Sequence, residues 1–167
     1  AMSRYSGLWA GFKITSEAAE SSASVAVDTE RVRVRLPEDF TLPPEGISIR
    51  WPDDRFLQER RMADYKVYAA QAYARTNGLD RIVWDAAAPR LGIISCGKAY
   101  LDVRQALDDL GIDEQQAERI GIRLYKVALV WPLEAEGARQ FAQGLEEILV
   151  VEEKRQVIEY QLKEHLY

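Results

Sequence analysis

Two short stretches of the sequence contain residues that could bind a ligand. Ser95, Gly97 and Lys98 follow a predicted strand and open a predicted helix, where free backbone N–H groups and an ammonium would suit a phosphate or carboxylate. Glu152 and Lys154 occupy the same kind of position after another predicted strand. Because ligands of open parallel sheets bind beyond the carboxyl ends of the strands, these five residues define a candidate pocket.

Each stretch also has an ordinary structural interpretation. Any turn from a strand into a helix resembles residues 95–98, with Ser95 as the N-cap and Gly97 easing the bend. The charged cluster 152–155 would place acidic residues at a helix start, where the helix dipole favours them, or would form an interface with another domain. The sequence contains neither a GxGxxG fingerprint nor a GxxxxGK[ST] loop, which argues against a standalone dinucleotide site.

The chain offers little for catalysis or metal binding. Cys96 stands at a helix start, where a thiolate is favoured, but the single histidine, His165, lies at the far end of the chain. One cysteine and one histidine exclude a disulfide framework, a Cys/His zinc site and an iron–sulfur cluster held by this chain alone. We therefore expect no catalytic residue, no metal ligands and no confident cofactor-binding residue here.

Composition limits the remaining classes. The 167 residues include 22 basic and 27 acidic side chains, and the net charge of -5 argues against a nucleic-acid binder. The longest apolar runs, such as residues 148–151, are far too short to span a bilayer. The start does not resemble a signal peptide, so we expect a cytoplasmic protein.

Strands and helices alternate in the second half of the predicted structure. Strands are predicted at 81–85, 91–95, 122–130 and 147–152, with helices ending at Leu110, covering 113–120 and 138–145, and beginning near Lys154. A longer helix over 54–76 precedes them and stops at Asn77 and Gly78. Such alternation at short spacing predicts an α/β fold, a mostly parallel sheet flanked by helices.

The first fifty residues have a different character. Residues 31–36 alternate arginine with aliphatic side chains, which predicts an edge strand with one wet face. Four prolines between 37 and 52 predict an extended connector. The domain prediction is therefore an N-terminal junction and connector with short strands over 1–52, and an α/β domain over 53–167. Ala1 before Met2, and an end inside an apolar helical pattern, indicate a piece of a longer chain.

Several separated strings resemble the 2-oxoacid:ferredoxin oxidoreductases, and they do so in one consistent order. Residues 3–13 and 20–25 look like the junction after the domain that binds the thiamine pyrimidine. Residues 91–111 are similar to a segment of the indolepyruvate branch, and 121–127, 131–134 and 150–155 continue the match. The resemblance implies a domain like the C-terminal domain of transketolase.

The resemblance also implies what the parent enzyme does. It would decarboxylate indolepyruvate or a related aryl pyruvate oxidatively to an acyl-CoA, passing electrons to ferredoxin. Thiamine diphosphate, Mg²⁺ and [4Fe-4S] clusters would be its cofactors, coenzyme A its co-substrate, and a homodimer its assembly. None of these cofactors would bind this fragment, which would act as a scaffold beside the catalytic domains and be inactive alone.

An alternative interpretation is that the chain functions on its own and not as part of a larger enzyme. It would then be a freestanding α/β module that binds a small phosphate- or CoA-type ligand at the strand ends around Ser95 to Lys98 and Glu152 to Arg155. Measurable affinity of the isolated chain for such a ligand would distinguish this module from a scaffold.

Overall fold

The computed structural model describes residues 1–28, 30–48 and 51–167. These residues fall into two compact units, Ala1–Asn77 and Gly78–Tyr167. The boundary predicted from the sequence between residues 52 and 53 lies inside the first unit, and it stays a prediction about domain organisation.

The second unit is built on a four-stranded sheet. Its strands are β1 (Arg81–Trp84), β2 (Leu91–Cys96), β3 (Ile122–Val127) and β4 (Glu147–Val151), in the order β1-β3-β2-β4. Strand β2 pairs in parallel with both β3 and β4, while β1 runs antiparallel to β3. The connection of residues 85–90 is too short for the crossover that parallel neighbours need, so β1 pairs elsewhere and in the opposite direction. The predicted, mostly parallel sheet is confirmed with this exception.

Helices cover both faces of the sheet. They are α5 (Gly97–Asp109), α6 (Glu114–Ile120), α7 (Ala135–Ala142) and α8 (Val157–Leu166). The first two pack on one face, over a core of Trp84, Ile93, Tyr100, Val103, Leu107, Ala117, Ile122 and Leu124. The last two pack on the other, over Ile94, Tyr125, Val127, Leu133, Ala138, Phe141, Ile158 and Leu162. The α/β class predicted from the sequence is therefore confirmed.

The first unit is helical where the sequence predicted a helix. It contains α1 (Met2–Ser6), α2 (Ser16–Glu20), α3 (Arg55–Arg61), a π-helical turn (Met62–Lys66) and α4 (Val67–Thr76). The helix expected over 54–76 is confirmed, with Asp54 as its N-cap, accepting from the backbone N–H groups of Phe56 and Leu57 at 2.9 and 3.3 Å. Its buried side is made mainly of small residues, Ala69, Ala70, Ala72 and Ala74, together with Tyr73.

The strand predicted over 31–36 is wrong, because no strand is formed among the described residues 30–36. An alternating pattern makes a strand only when a neighbouring strand supplies the hydrogen bonds. Here only Arg35 has such support, since its N–H and C=O both bond the Asn77 side chain amide at 2.9 Å. The described part of the connector, 37–48, contains neither helix nor strand, while Ile49 and Arg50 lie outside the described residues.

Candidate functional site

The five predicted pocket residues lie at one edge of the sheet. Ser95 pairs with Val151 in parallel register, so the turn into α5 and the loop before α8 are neighbours. Gly97 is the first residue of α5 and has a φ of +54°, a backbone conformation that a side chain would strain. The structure thus brings the two predicted stretches to the same end of the sheet, and their role as a pocket stays a prediction.

At the end of β2, the two polar side chains of the candidate pocket already have partners. The Ser95 side chain is fully buried, and its Oγ donates to the Val151 carbonyl at 2.8 Å. Lys98 Nζ donates to both carboxylate oxygens of Asp102, each at 2.8 Å. The expected N-cap role of Ser95 is wrong, because Cys96 holds that position and makes no side-chain cap bond. Burial against β4 takes the serine hydroxyl away from the helix start.

At the end of β4, Glu152 caps the last helix. Its two carboxylate oxygens accept from the backbone N–H groups of residues 157, 158 and 159 at 3.1, 2.8 and 3.1 Å. The sequence predicted that α8 begins near Lys154, but it begins at Val157. The Glu152 side chain extends past the intervening loop to bind the backbone N–H groups of the first turn, which explains the later start. Lys154 is exposed and has a φ of +66° in the intervening loop. The capped-helix interpretation of this cluster is confirmed, and a ligand-binding role for the five residues stays a prediction.

The two side chains with reactive potential, Cys96 and His165, lie on different helices. Cys96 is half-buried at the start of α5 and packs against the core on the α7 and α8 face. His165 lies in the last turn of α8, about 12 Å of helix beyond Val157. The absence of a catalytic cysteine–histidine pair stays a prediction.

A buried polar cluster was missed by the sequence analysis. Asp80, just before β1, accepts at Oδ1 from the backbone N–H groups of Ala128 and Leu129, at 2.7 and 2.9 Å. Its Oδ2 is buried and has no hydrogen-bond partner. Burial raises the pKa of Asp80, two backbone N–H donors oppose that rise, and the charge of Glu134 adds to it.

Glu134 and Tyr125 complete this cluster. Glu134 is 3% exposed and caps α7, accepting from the backbone N–H groups of Glu136 and Gly137 at 3.1 and 2.6 Å. Burial first, then the charges of Asp80 and Glu134, raise the pKa of Tyr125. The hydrogen bonds of Asp80 and Glu134 thus fix the backbone of the segment between β3 and α7. A glutamate at an N-cap position was the one weak signal in the sequence, since Asp, Asn, Ser and Thr are the usual caps.

In the first unit, one buried amine stands out. Lys66 is 7% exposed, lies in the π-helical turn, and donates from Nζ to the Gly7 carbonyl at 3.2 Å. Burial and the nearby charge of Arg61 lower the pKa of Lys66, while Asp53 opposes that shift. The contact ties α1 to the long helix.

The described residues do not fit a metal or a cluster. Among them, no three His, Cys, Asp or Glu side chains form a group that could hold a metal ion. The chain has a single cysteine, fewer than the thiolates that a [4Fe-4S] cluster needs. None of the helices in the described part of the chain is long and apolar enough to cross a membrane.

Residues 80–167 match the family model of the indolepyruvate ferredoxin oxidoreductase middle domain, and the chain belongs to this family. The match covers the second unit, whose sheet and flanking helices are described above. The resemblance noted from the sequence is thereby confirmed for this part of the chain.

Two relatives are IorA subunits of indolepyruvate oxidoreductases. The subunit from Methanothermobacter marburgensis is 33% identical over 100 residues, which are 60% of this chain and 15% of that protein. The subunit from Pyrococcus abyssi is 35% identical over 74 residues, 44% of this chain and 10% of that protein. The chain thus spans a small part of these relatives. A solved 2-oxoglutarate:ferredoxin oxidoreductase from Magnetococcus marinus, with 2-oxoglutarate, coenzyme A and succinyl-CoA bound, gives a TM-score of 0.47 at 17% identity over 72% of this chain and 20% of that one.

Proposed function

We propose that this chain is an interface domain of a longer 2-oxoacid:ferredoxin oxidoreductase, on which neighbouring domains of the same enzyme pack. The observation that carries the proposal is the apolar surface of residues 8–36 in the first unit. Trp9, Phe12 and Val27 are 96, 90 and 94% exposed. The same stretch also exposes Ile14, Val25, Val32, Val34 and Leu36.

Such a surface is unfavourable in water and favours a partner. Burying apolar area is worth about 25 cal/mol per Å², so exposed apolar side chains gain free energy when another surface covers them. The segment has no described strand and only the five-residue helix α2, so it contributes almost no self-contained core. The matched part of this chain covers only 15% and 10% of its two relatives. The remaining domains of such a protein could therefore provide the surface that covers residues 8–36.

The parent reaction is part of the same proposal. It is the oxidative decarboxylation of indolepyruvate or another aryl pyruvate to an acyl-CoA, with ferredoxin as electron acceptor. Thiamine diphosphate, Mg²⁺, the [4Fe-4S] clusters and the coenzyme A site belong to other domains, and the parent is a homodimer in the cytoplasm. The role of this domain is to hold its neighbours in a fixed orientation, which catalysis by positioned groups requires.

Hydrogen–deuterium exchange tests the interface. We expect residues 8–36 to exchange quickly in the isolated 167-residue chain and to be protected in the full-length enzyme. Trp9→Ser with Phe12→Ser should abolish much of that protection and lower turnover of indolepyruvate. A matched control is Leu110→Ser, which removes a 73% exposed apolar side chain at the end of α5 in the second unit.

Two results would contradict the proposal. Equal exchange of residues 8–36 in the isolated chain and in the full-length enzyme would show that nothing covers them. Saturable binding of inorganic phosphate or coenzyme A to the isolated chain, lost on Lys98→Ala, would instead favour the freestanding binding module. The engagement of Ser95, Lys98 and Glu152 by neighbouring groups leads us to expect no such binding.

A further inference from the structure

Three basic side chains lie on one face of the sheet in the second unit, and two of them contact aromatic rings. Arg81 of β1 stands opposite Lys126 of β3, so both side chains lie on the same face of the sheet. Lys126 Nζ lies 4.8 Å from the centroid of the Tyr100 ring. Arg104 of α5 donates from a terminal nitrogen to the Tyr100 hydroxyl at 3.3 Å, and its Cζ lies 4.5 Å from the centroid of the Trp84 ring. We call Arg81, Arg104 and Lys126 the basic patch.

The basic patch has no acidic partner within the described part of the chain. None of its three side chains forms an ion pair there, and Arg104 Nε is buried without a hydrogen-bond partner. Other basic side chains of the same unit are paired, as in Arg90–Glu146, Lys98–Asp102, Arg123–Asp85 and Lys163–Glu159. The positive charge of the patch is thus left uncompensated on a chain whose net charge is -5.

Aromatic rings hold two of the three charges of the patch in place. Tyr100 and Trp84 are buried and form a fixed floor, while Arg81 is exposed and Arg104 and Lys126 are half-buried. Cation–π contacts of this kind hold a cation at a defined place without neutralising it. The patch therefore presents two positive groups held against aromatic rings, Arg104 and Lys126, beside the exposed Arg81.

We propose that the basic patch docks an acidic segment of a neighbouring domain in the longer polypeptide. This inference rests on the proposed interface function and names a second contact and its chemistry. The three cations come from β1, β3 and α5, and such a distribution suits several carboxylates on one polypeptide better than a single small anion. Guanidinium groups bind carboxylates through two parallel hydrogen bonds, and complementary charge fixes the register of an interface.

A zero-length carbodiimide cross-link in the full-length enzyme tests this contact. The reagent joins a lysine amine to a carboxylate only where the two touch. We expect a peptide containing Lys126 to be linked to an acidic peptide from outside residues 1–167. The Lys163–Glu159 pair, 2.6 Å apart on α8, serves as the internal positive control. The Lys126→Arg variant should lose the Lys126 link, because arginine does not form the amide, and keep the control link.

Charge reversal gives a second measurement. Arg81→Glu with Lys126→Glu should remove the protection of α5 and β1 from hydrogen exchange in the full-length enzyme. Arg119→Glu is the matched control, since Arg119 lies on α6 just before the start of β3, at the other end of that strand from Lys126. The unfolding temperature of the isolated chain should stay nearly unchanged, while the protection of α5 and β1 in the full-length enzyme is lost. This combination separates an effect on docking from an effect on folding.

Several outcomes would overturn the inference. One is an unlinked Lys126 beside a linked Lys163, and another is a link from Lys126 to an acid within residues 1–167. A third is that inorganic phosphate protects Lys126 of the isolated chain from acetylation, which would make the patch a small-anion site. Protection of residues 8–36 would be unaffected in all three, so the inference can fail while the proposed function holds.

Discussion

The Ser95 hydroxyl donates to the Val151 carbonyl at 2.8 Å, at the last paired position of β2 and β4. A serine that the sequence placed in a ligand pocket thus joins two strands of the sheet. Strand β4 has β2 as its only neighbour in the described sheet, so this bond supports an edge strand at the end where it leaves the sheet.

Replacing Ser95 by alanine tests this role directly. Loss of the hydroxyl leaves the Val151 carbonyl without its partner and should lower the free energy of unfolding by about 1 kcal/mol. Urea unfolding of the 167-residue chain measures the change. Ser95→Thr, which keeps a hydroxyl but adds a methyl group, is a less suitable control than Lys98→Ala, whose exposed ion pair should cost less than 1 kcal/mol. Equal stability of the alanine variant and the natural chain would contradict the structural role.

The glycine of β2 is predicted to be intolerant of any side chain. A Cβ added at Gly92 would overlap Leu145 Cδ1 and lie 2.6 Å from Phe141 Cζ, both in the core beneath α7. Gly92→Ala should therefore destabilise the chain by about 1–3 kcal/mol through overpacking. Gly11→Ala is the control, because nothing lies within 4 Å of its added Cβ. Thermal unfolding should separate the two variants, and a neutral Gly92→Ala would mean that α7 moves freely away from the sheet.

Local patterns in the sequence were sufficient for most of the second unit. Hydrophobic periodicity placed β2, β3 and β4, and the helix ends predicted at residues 110 and 120 agree with α5 and α6 to within one residue. The direction of β1 was not accessible in this way, because it depends on a partner strand about forty residues away. The strand expected over 31–36 failed for a related reason: its pattern was suitable, but no neighbour pairs with it.

The candidate site was predictable only as a location. Strand ends indicated which residues share one end of the sheet, yet the hydrogen bonds of Ser95 and Glu152 are made to groups 56 and 5–7 residues away. Asp80 and the basic patch were missed for the same reason, since their contacts are formed between β1, β3, α5 and the β3–α7 segment. A side chain's partners across the fold decide its role, and one sequence does not list them.

We predict that Arg123 stabilises the fold more through its hydrogen bonds to backbone carbonyls than through its ion pair. It donates to the Phe141 and Gln143 carbonyls at 2.9 and 2.8 Å, and from Nε to Asp85 at 2.6 Å. Arg123→Met should cost about 2–3 kcal/mol, because buried carbonyls lose their partner. Asp85→Asn should cost less than 1 kcal/mol, since the Asp85 side chain is 54% exposed. Urea unfolding of both variants distinguishes the two contributions, and equal losses would assign the effect to the ion pair.

Asp80 should make the stability of the chain depend on pH in a defined direction. Its folded-state pKa is raised by burial, so the folded protein binds a proton more tightly at this carboxyl than the unfolded chain does. The stabilisation from that proton is fully present below the unfolded pKa of about 3.9 and is lost as pH rises through the folded value. Asp80→Asn keeps an oxygen for the N–H groups of Ala128 and Leu129 but removes the charge beside Glu134.

We therefore expect the asparagine variant to gain stability relative to the natural chain as pH rises from acid to neutral. The difference between the two free energies of unfolding, measured in urea across that range, should increase and then level off above the folded pKa. Glu146→Gln serves as a reference with the opposite sign, because the Arg90 hydrogen bond lowers the pKa of the exposed Glu146. A difference that stays constant with pH would show that Asp80 titrates alike in both states, and its buried Oδ2 would then have to meet a partner that keeps it charged.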